Sequence, residues 1–105
     1  MAKNKQIYLK LPTKKDDIFS VTLDYDALEE HCLIEKMVRP WVTRKVKEYL
    51  GVEEQALISL VIKHIRARLP PQALLDKLEP IIDVLAENFV IKLWQMLTFE
   101  HQKVV

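Results

Sequence analysis

The chain has 105 residues, 50% of them hydrophobic and 30% charged, with a formal net charge of +1. That is enough apolar material for one domain around one core, and one glycine against five prolines argues against an all-β fold, whose tight turns draw on glycine. A single cysteine, Cys32, excludes an internal disulfide and suits a reducing compartment, while no apolar run approaches the ~20 residues of a bilayer span.

The near-neutral total hides a segregation of sign. Residues 1–15 hold five lysines and no acid, residues 16–35 hold seven acids and no lysine or arginine, and residues 36–50 hold five basic residues against Glu48. Blocks of this kind imply either contact with a polyanion or pairing of the blocks with one another, set against the plainer alternative of a solvated surface. Residues 1–17 are expected to form a flexible basic arm. They lack the apolar stretch of a secretory signal, Pro12 interrupts regular structure, and Ile7-Tyr8-Leu9 is too short for a core. Phe19, Val21 and Leu23 alternate with polar residues, but a lone strand has no sheet to join, so this stretch is assigned to coil.

The remaining elements are helical. Asp24 or Asp26 caps a first helix that carries Leu28, Cys32 and Leu33 inward and runs to about Met37. Arg39 precedes a proline and is expected to lie outside the α region, marking a boundary. Pro40 opens a second helix, with Val42, Val46 and Tyr49 at helical spacing and Gly51 as its left-handed stop. A third helix spans residues 53–69 with a broad face of Leu57, Leu60, Val61, Ile65 and Leu69, widened by Ile58 and Ile62. Pro70-Pro71 ends it and opens a short fourth helix through Leu74, Leu75 and Leu78, which Pro80 ends or kinks. Asp83 is expected to cap the last helix, whose stripe is Ala86, Phe89, Val90, Leu93, Trp94 and Leu97.

Chemistry is sparse. His31, Cys32, His64 and His101 lack the paired spacing of a metal site, so no metal or cofactor is expected; His64 reads as a half-buried packing residue and the other two histidines as surface residues. There is no glycine-rich phosphate loop and no activated nucleophile, and the carboxylates lie on exposed helical turns, so an enzyme is not expected. The basic residues are better placed. Arg44 and Lys47 lie opposite Val42 and Val46, and Lys63 and Arg66 lie opposite Leu57, Val61 and Ile65, so both pairs point to solvent. Together with Lys45 and the arm residues Lys3, Lys5, Lys10, Lys14 and Lys15, they form the candidate nucleic-acid-binding set. The alternative for Arg44 is an i,i+4 pair with Glu48, worth about a few tenths of a kcal/mol. Trp41, Phe89 and Trp94 fall on apolar faces, so base stacking is not expected and backbone charge leads.

The run Arg39-Pro40-Trp41-Val42-Thr43-Arg44-Lys45-Val46-Lys47-Glu48-Tyr49-Leu50-Gly51 resembles the signature of the PWI domain, a family named for a Pro-Trp-Ile tripeptide at the start of a helix; Val42 stands here for the isoleucine. The likeness continues through Glu53-Glu54, Pro71-Gln72-Ala73-Leu74-Leu75-Asp76 and Ala86-Glu87-Asn88-Phe89-Val90-Ile91-Lys92-Leu93-Trp94. Upstream, Phe19, Leu23-Asp24-Tyr25 and Glu35-Lys36-Met37-Val38 resemble an N-terminal extension carried by a member of that family. Pro80 departs from the helix former expected at its position. The resemblance implies an all-α, PWI-type four-helix bundle at residues 18–103, with an additional N-terminal helix and the basic arm 1–17 before it. Pro40, Trp41, Val42, Gly51 and Trp94 are then its structural motif residues. It further implies a nuclear pre-mRNA splicing factor that binds RNA, and single- and double-stranded DNA, with little sequence preference. The domain is expected to act as a monomer away from membranes. A second possibility is a protein-interaction module that meets an acidic or charged segment of another splicing factor.

Overall fold

A proline-opened helix and a glycine stop organise the chain. In the computed structural model, which describes residues 15–104, the elements are α1 (Lys15–Phe19), α2 (Tyr25–Glu30), a π-helical segment (Ile34–Val38), α3 (Arg39–Leu50), α4 (Gln55–Arg66), α5 (Pro71–Ile82) and α6 (Leu85–Val104). No strand occurs among the described residues, in line with the all-α expectation.

Two punctuation marks fall where the sequence places them. Asp24 caps α2, its Oδ1 accepting the Ala27 N–H at 3.1 Å. Gly51 ends α3 at φ 82°, its N–H donating to the Lys47 carbonyl at 2.7 Å. Nothing lies within 4 Å of the position a Cβ would take there, so the backbone angle alone selects glycine.

Four expectations are corrected. The first helix does not run unbroken to Met37: the chain turns at His31-Cys32, where Cys32 adopts φ 57° and is left exposed, and resumes as the π-helical segment. Arg39 is not a boundary. It is helical at φ −59° and ψ −47°, and its N–H donates to the Ile34 carbonyl five residues back. The proline thus enters where the helix is already widened, and wide π turns are where helices absorb such irregularities. The burial of Ile34, Val38 and Val42 accounts for the continuity, because a break at Arg39 would swing these side chains out of register. α4 stops at Arg66, three residues early, and Arg68 at φ 61° turns Leu69 outward to 37% exposure. Finally, residues 15–17, expected in the arm, begin α1, whose Ile18 is fully buried. Pro80 lies inside α5 without ending it, two residues before the helix closes at Ile82.

The core sits around α6. Trp94, Phe89, Val90, Leu93 and Leu97 are buried against Val42 and Val46 of α3, the apolar face of α4, and Leu74, Leu75 and Leu78 of α5. α5 packs along α6, α4 against α3, and α1 and α2 lie across α6. Burying an aliphatic side chain of this size stabilises by about 1.5–3 kcal/mol, so Ile18 and Leu23 tie the N-terminal segment to the bundle. Trp41 is half-buried, its ring centroid 5.9 Å from that of Phe89, which in turn sits 5.9 Å from Tyr49 in an edge-on arrangement. Pro40 itself is exposed.

Candidate nucleic-acid interface

Helical geometry carries the basic residues outward. Arg44 and Lys47 are three apart on α3, opposite the buried Val42 and Val46, and both are exposed. Neither forms an ion pair within the described residues. The Arg44–Glu48 pair weighed as the alternative is absent among them: Glu48 Oε1 instead takes Lys45 Nζ at 3.2 Å. That lysine is half-buried, with its ammonium 5.8 Å from the Trp41 ring centroid. Lys45 is therefore less available to a ligand than its two neighbours on the helix.

On α4 the expected pair separates. Lys63 is exposed and has no ion pair among the described residues, whereas Arg66 donates to Glu35. The same Glu35 accepts from Arg39 Nε at 2.9 Å and Nη2 at 3.3 Å, so one carboxylate of the π-helical segment holds two guanidinium groups. The Arg39 hydrogen bonds, with the charges of Arg39 and Arg66, hold the Glu35 carboxyl below its ordinary range, and Arg39 is raised in turn. Two residues beyond the end of α4, Arg68 donates to Asp26 and lies 3.9 Å from Glu29, and its guanidinium is raised chiefly by the Asp26 hydrogen bond. Burial raises the Tyr25 hydroxyl beside it, partly opposed by the Arg68 charge. The acidic block of residues 16–35 thus spends Asp26, Glu29 and Glu35 on Arg39, Arg66 and Arg68. Sequence reasoning missed the pairing of Arg66 and Arg68 because their partners lie tens of residues away, with only the block segregation of sign as a signal.

Lys15 is in α1, its Nζ 3.8 Å from Glu87 and 5.6 Å from the Phe19 ring. Lys3, Lys5, Lys10 and Lys14 lie outside the described residues. Lys36 and Lys92, not singled out from the sequence, are also exposed cations without an ion pair among the described residues.

The histidines are better connected than expected. His64 is not half-buried but 2% exposed, and His101 accepts the Asp24 N–H through Nε2 at 2.9 Å, pinning α6 to the start of α2. Among the described residues no group of three His, Cys, Asp or Glu side chains could hold a metal ion, and no helix is long and apolar enough to cross a membrane. What the surface offers chemically is a set of uncommitted cations on α3 and α4, flanked by arginines already neutralised from within.

The chain resembles proteins from distant organisms. It is 35% identical over 98 residues to RNA-binding protein 25 of Homo sapiens, covering 93% of this chain and 12% of that protein. It is 35% identical over 100 residues to RNA-binding motif protein 25 of Arabidopsis thaliana, covering 95% and 11%. It is 31% identical over 88 residues to the U1 snRNP-associated protein usp107 of Schizosaccharomyces pombe, covering 84% and 12%. The chain therefore spans only about an eighth of the length of these relatives. Residues 36–104, which take in the Pro40-Trp41 opening, the Gly51 stop and the Trp94 helix, match the PWI domain, and the chain belongs to that family.

Proposed function

We propose that this PWI domain is the nucleic-acid-binding module of a nuclear pre-mRNA splicing factor, holding RNA, and DNA as well, through backbone charge with little sequence specificity. The observation that carries it is the exposure of Arg44, Lys47 and Lys63, none of them in an ion pair among the described residues. Cations free of internal partners can exchange counterions for phosphates, which supplies sequence-independent affinity. The names of the relatives, two RNA-binding proteins and one U1 snRNP-associated protein, support the same assignment. No catalytic role and no cofactor enter it, and the domain acts as a monomer.

Titration of the chain with a short single-stranded RNA at two salt concentrations tests the proposal. Affinity is expected to fall as salt rises, with a log–log slope of about −0.7 for each phosphate neutralised. Undetectable binding at low salt, or binding insensitive to salt, overturns it. A second function, docking of an acidic segment of another spliceosomal protein, is favoured by Glu35, which has two arginines of this surface already bound to a carboxylate. If an acidic peptide stays bound in the presence of excess RNA, the weight moves to this second function.

A further inference from the structure

α4 and α5 leave an apolar groove uncovered. Leu60 and Lys63 of α4, Ala67 and Leu69 beyond its end, and Lys77 of α5 line an open space of about 590 Å³, with the buried His64 also lining it. A second hollow of about 230 Å³ shares Ala56 and Leu60 with the first and continues it to Leu50, Glu54 and Ile81. Large apolar side chains are left in water along this path: Ile81 is 52% exposed, Leu50 38% and Leu69 37%. Exposed apolar surface of this continuity, edged by charge, is the mark of a recognition groove. From Ala56 to Ala67 the chain rises roughly 16 Å along α4, the length of about three turns of an incoming helix.

The charges along the edge select the occupant. Lys63 and Lys77 stand together at one end of the groove, and Glu54 lies at the other. Lys63 has no ion pair among the described residues, and Lys77 Nζ meets the uncharged Nδ1 of His64 at 3.3 Å. The chain's own arm does not suit this surface. By sequence, its Ile7-Tyr8-Leu9 patch is apolar, but residues 1–14 also carry four lysines and no acid, which Lys63 and Lys77 repel. Nucleic acid does not suit it either, because most of the lining is apolar and a phosphate track needs successive cations.

We propose that this groove receives a short amphipathic helix of a partner protein. Apolar anchors at i, i+3 or i+4, and i+7 cover Leu50, Leu60, Leu69 and Ile81, and a carboxylate meets Lys63 and Lys77. The groove is lined by α4 and α5, whereas Arg44 and Lys47 project from α3, so the domain can hold protein and nucleic acid at separate places, with Lys63 alone common to both.

The test uses the full chain, isotope-labelled, and two synthetic helical peptides of roughly 12 residues, one built of Leu and Glu, the other of Leu and Lys. The Leu/Glu peptide is expected to shift the amides of Leu60, Lys63, Leu69 and Lys77, and to bind roughly tenfold more tightly than its Leu/Lys counterpart. Ile81→Ser, at a position already half in solvent, weakens the Leu/Glu peptide roughly tenfold. Lys63→Glu narrows the preference between the peptides by about fivefold or more. Several outcomes overturn the proposal. One is the absence of shifts along the groove, and another is equal affinity for the two peptides. A third is movement of the Leu60, Leu69 and Lys77 amides by single-stranded RNA in place of those of Arg44 and Lys47. The last is displacement of the groove amides by Ile7→Ser with Leu9→Ser, which assigns the groove to the chain's own arm. RNA binding is measured separately, so its failure leaves the peptide result standing.

Discussion

The ring of His64 is tied to the main chain of Pro70: its Nε2 lies 2.8 Å from the Pro70 carbonyl oxygen. A carbonyl only accepts, so Nε2 carries the hydrogen. Lys77 Nζ, 3.3 Å from Nδ1, only donates, so Nδ1 is bare and the ring is neutral. Burial, aided by the Lys77 charge and opposed by the Pro70 carbonyl, depresses the His64 pKa below its ordinary 6.5.

This fixes the sign of a pH dependence. As pH falls below 6.5 the unfolded chain takes up a proton at His64 that the folded domain refuses, so stability falls. The His64 contribution is complete above 6.5 and is lost on the acid side. Urea midpoints measured well above and well below that pH are expected to differ. The difference shrinks in His64→Gln, whose amide can still donate to Pro70 but does not titrate. An equal pH dependence in the variant refutes the assignment.

Asp83 holds φ 50° and ψ −124° between α5 and α6, a region that non-glycine residues rarely enter. Asp83→Gly is expected to stabilise the domain by about 1 kcal/mol, the relief of strain exceeding the greater entropy of the unfolded glycine. A thermal melt should register a rise of roughly 4–8 °C for each kcal/mol. A fall would mean that the Asp83 side chain contributes more than its backbone costs.

Phe89 and Pro40 separate packing from punctuation. Phe89 is buried, with its ring against both Trp41 and Tyr49, so Phe89→Ala is expected to cost about 3–5 kcal/mol. Pro40 is exposed, and Pro40→Ala should change stability by less than about 1 kcal/mol. Denaturant unfolding of the two variants checks the contrast. A large loss at Pro40 would show that the ring itself is needed to hold the π-to-α junction.

The cations of the surface divide into free and spent. Arg44→Glu with Lys47→Glu is expected to weaken RNA binding and flatten its salt slope by about 0.7 for each phosphate left without a cation. Arg66→Ala should have a much smaller effect, because Glu35 already takes that guanidinium. By the same logic Glu35→Gln releases Arg39 and Arg66 and should strengthen RNA binding at low salt. Unchanged affinity in that variant would separate these arginines from the RNA surface.

Much of the fold can be read from local pattern. The stripe from Ala86 to Leu97 and the stop at Gly51 depend on spacing within one helix and one backbone angle, and both are visible in sequence. The exit of Leu69 from α4 and the turn at Cys32 are not, because each depends on a non-glycine residue held at positive φ by its surroundings. The continuity through Arg39 is hidden for another reason. A local rule about residues before proline is outweighed by the tertiary gain from burying Ile34, Val38 and Val42. Helical phase is enough to place Arg44, Lys47 and Lys63 in solvent. It is not enough to pair off Arg66, whose carboxylate partner lies 31 residues away. The groove is invisible for the same reason, since nothing local says that Leu60 and Ile81 stay uncovered.

The buried position of Ile18 bears on how the domain can be cut out of a longer polypeptide. The family match begins at Lys36, yet the core around α6 is roofed by Ile18 and Leu23 from upstream. An expression fragment started at the family boundary would lose this roof and bare an oily flank along α6. Excised near Lys15 instead, the fragment keeps its own lid.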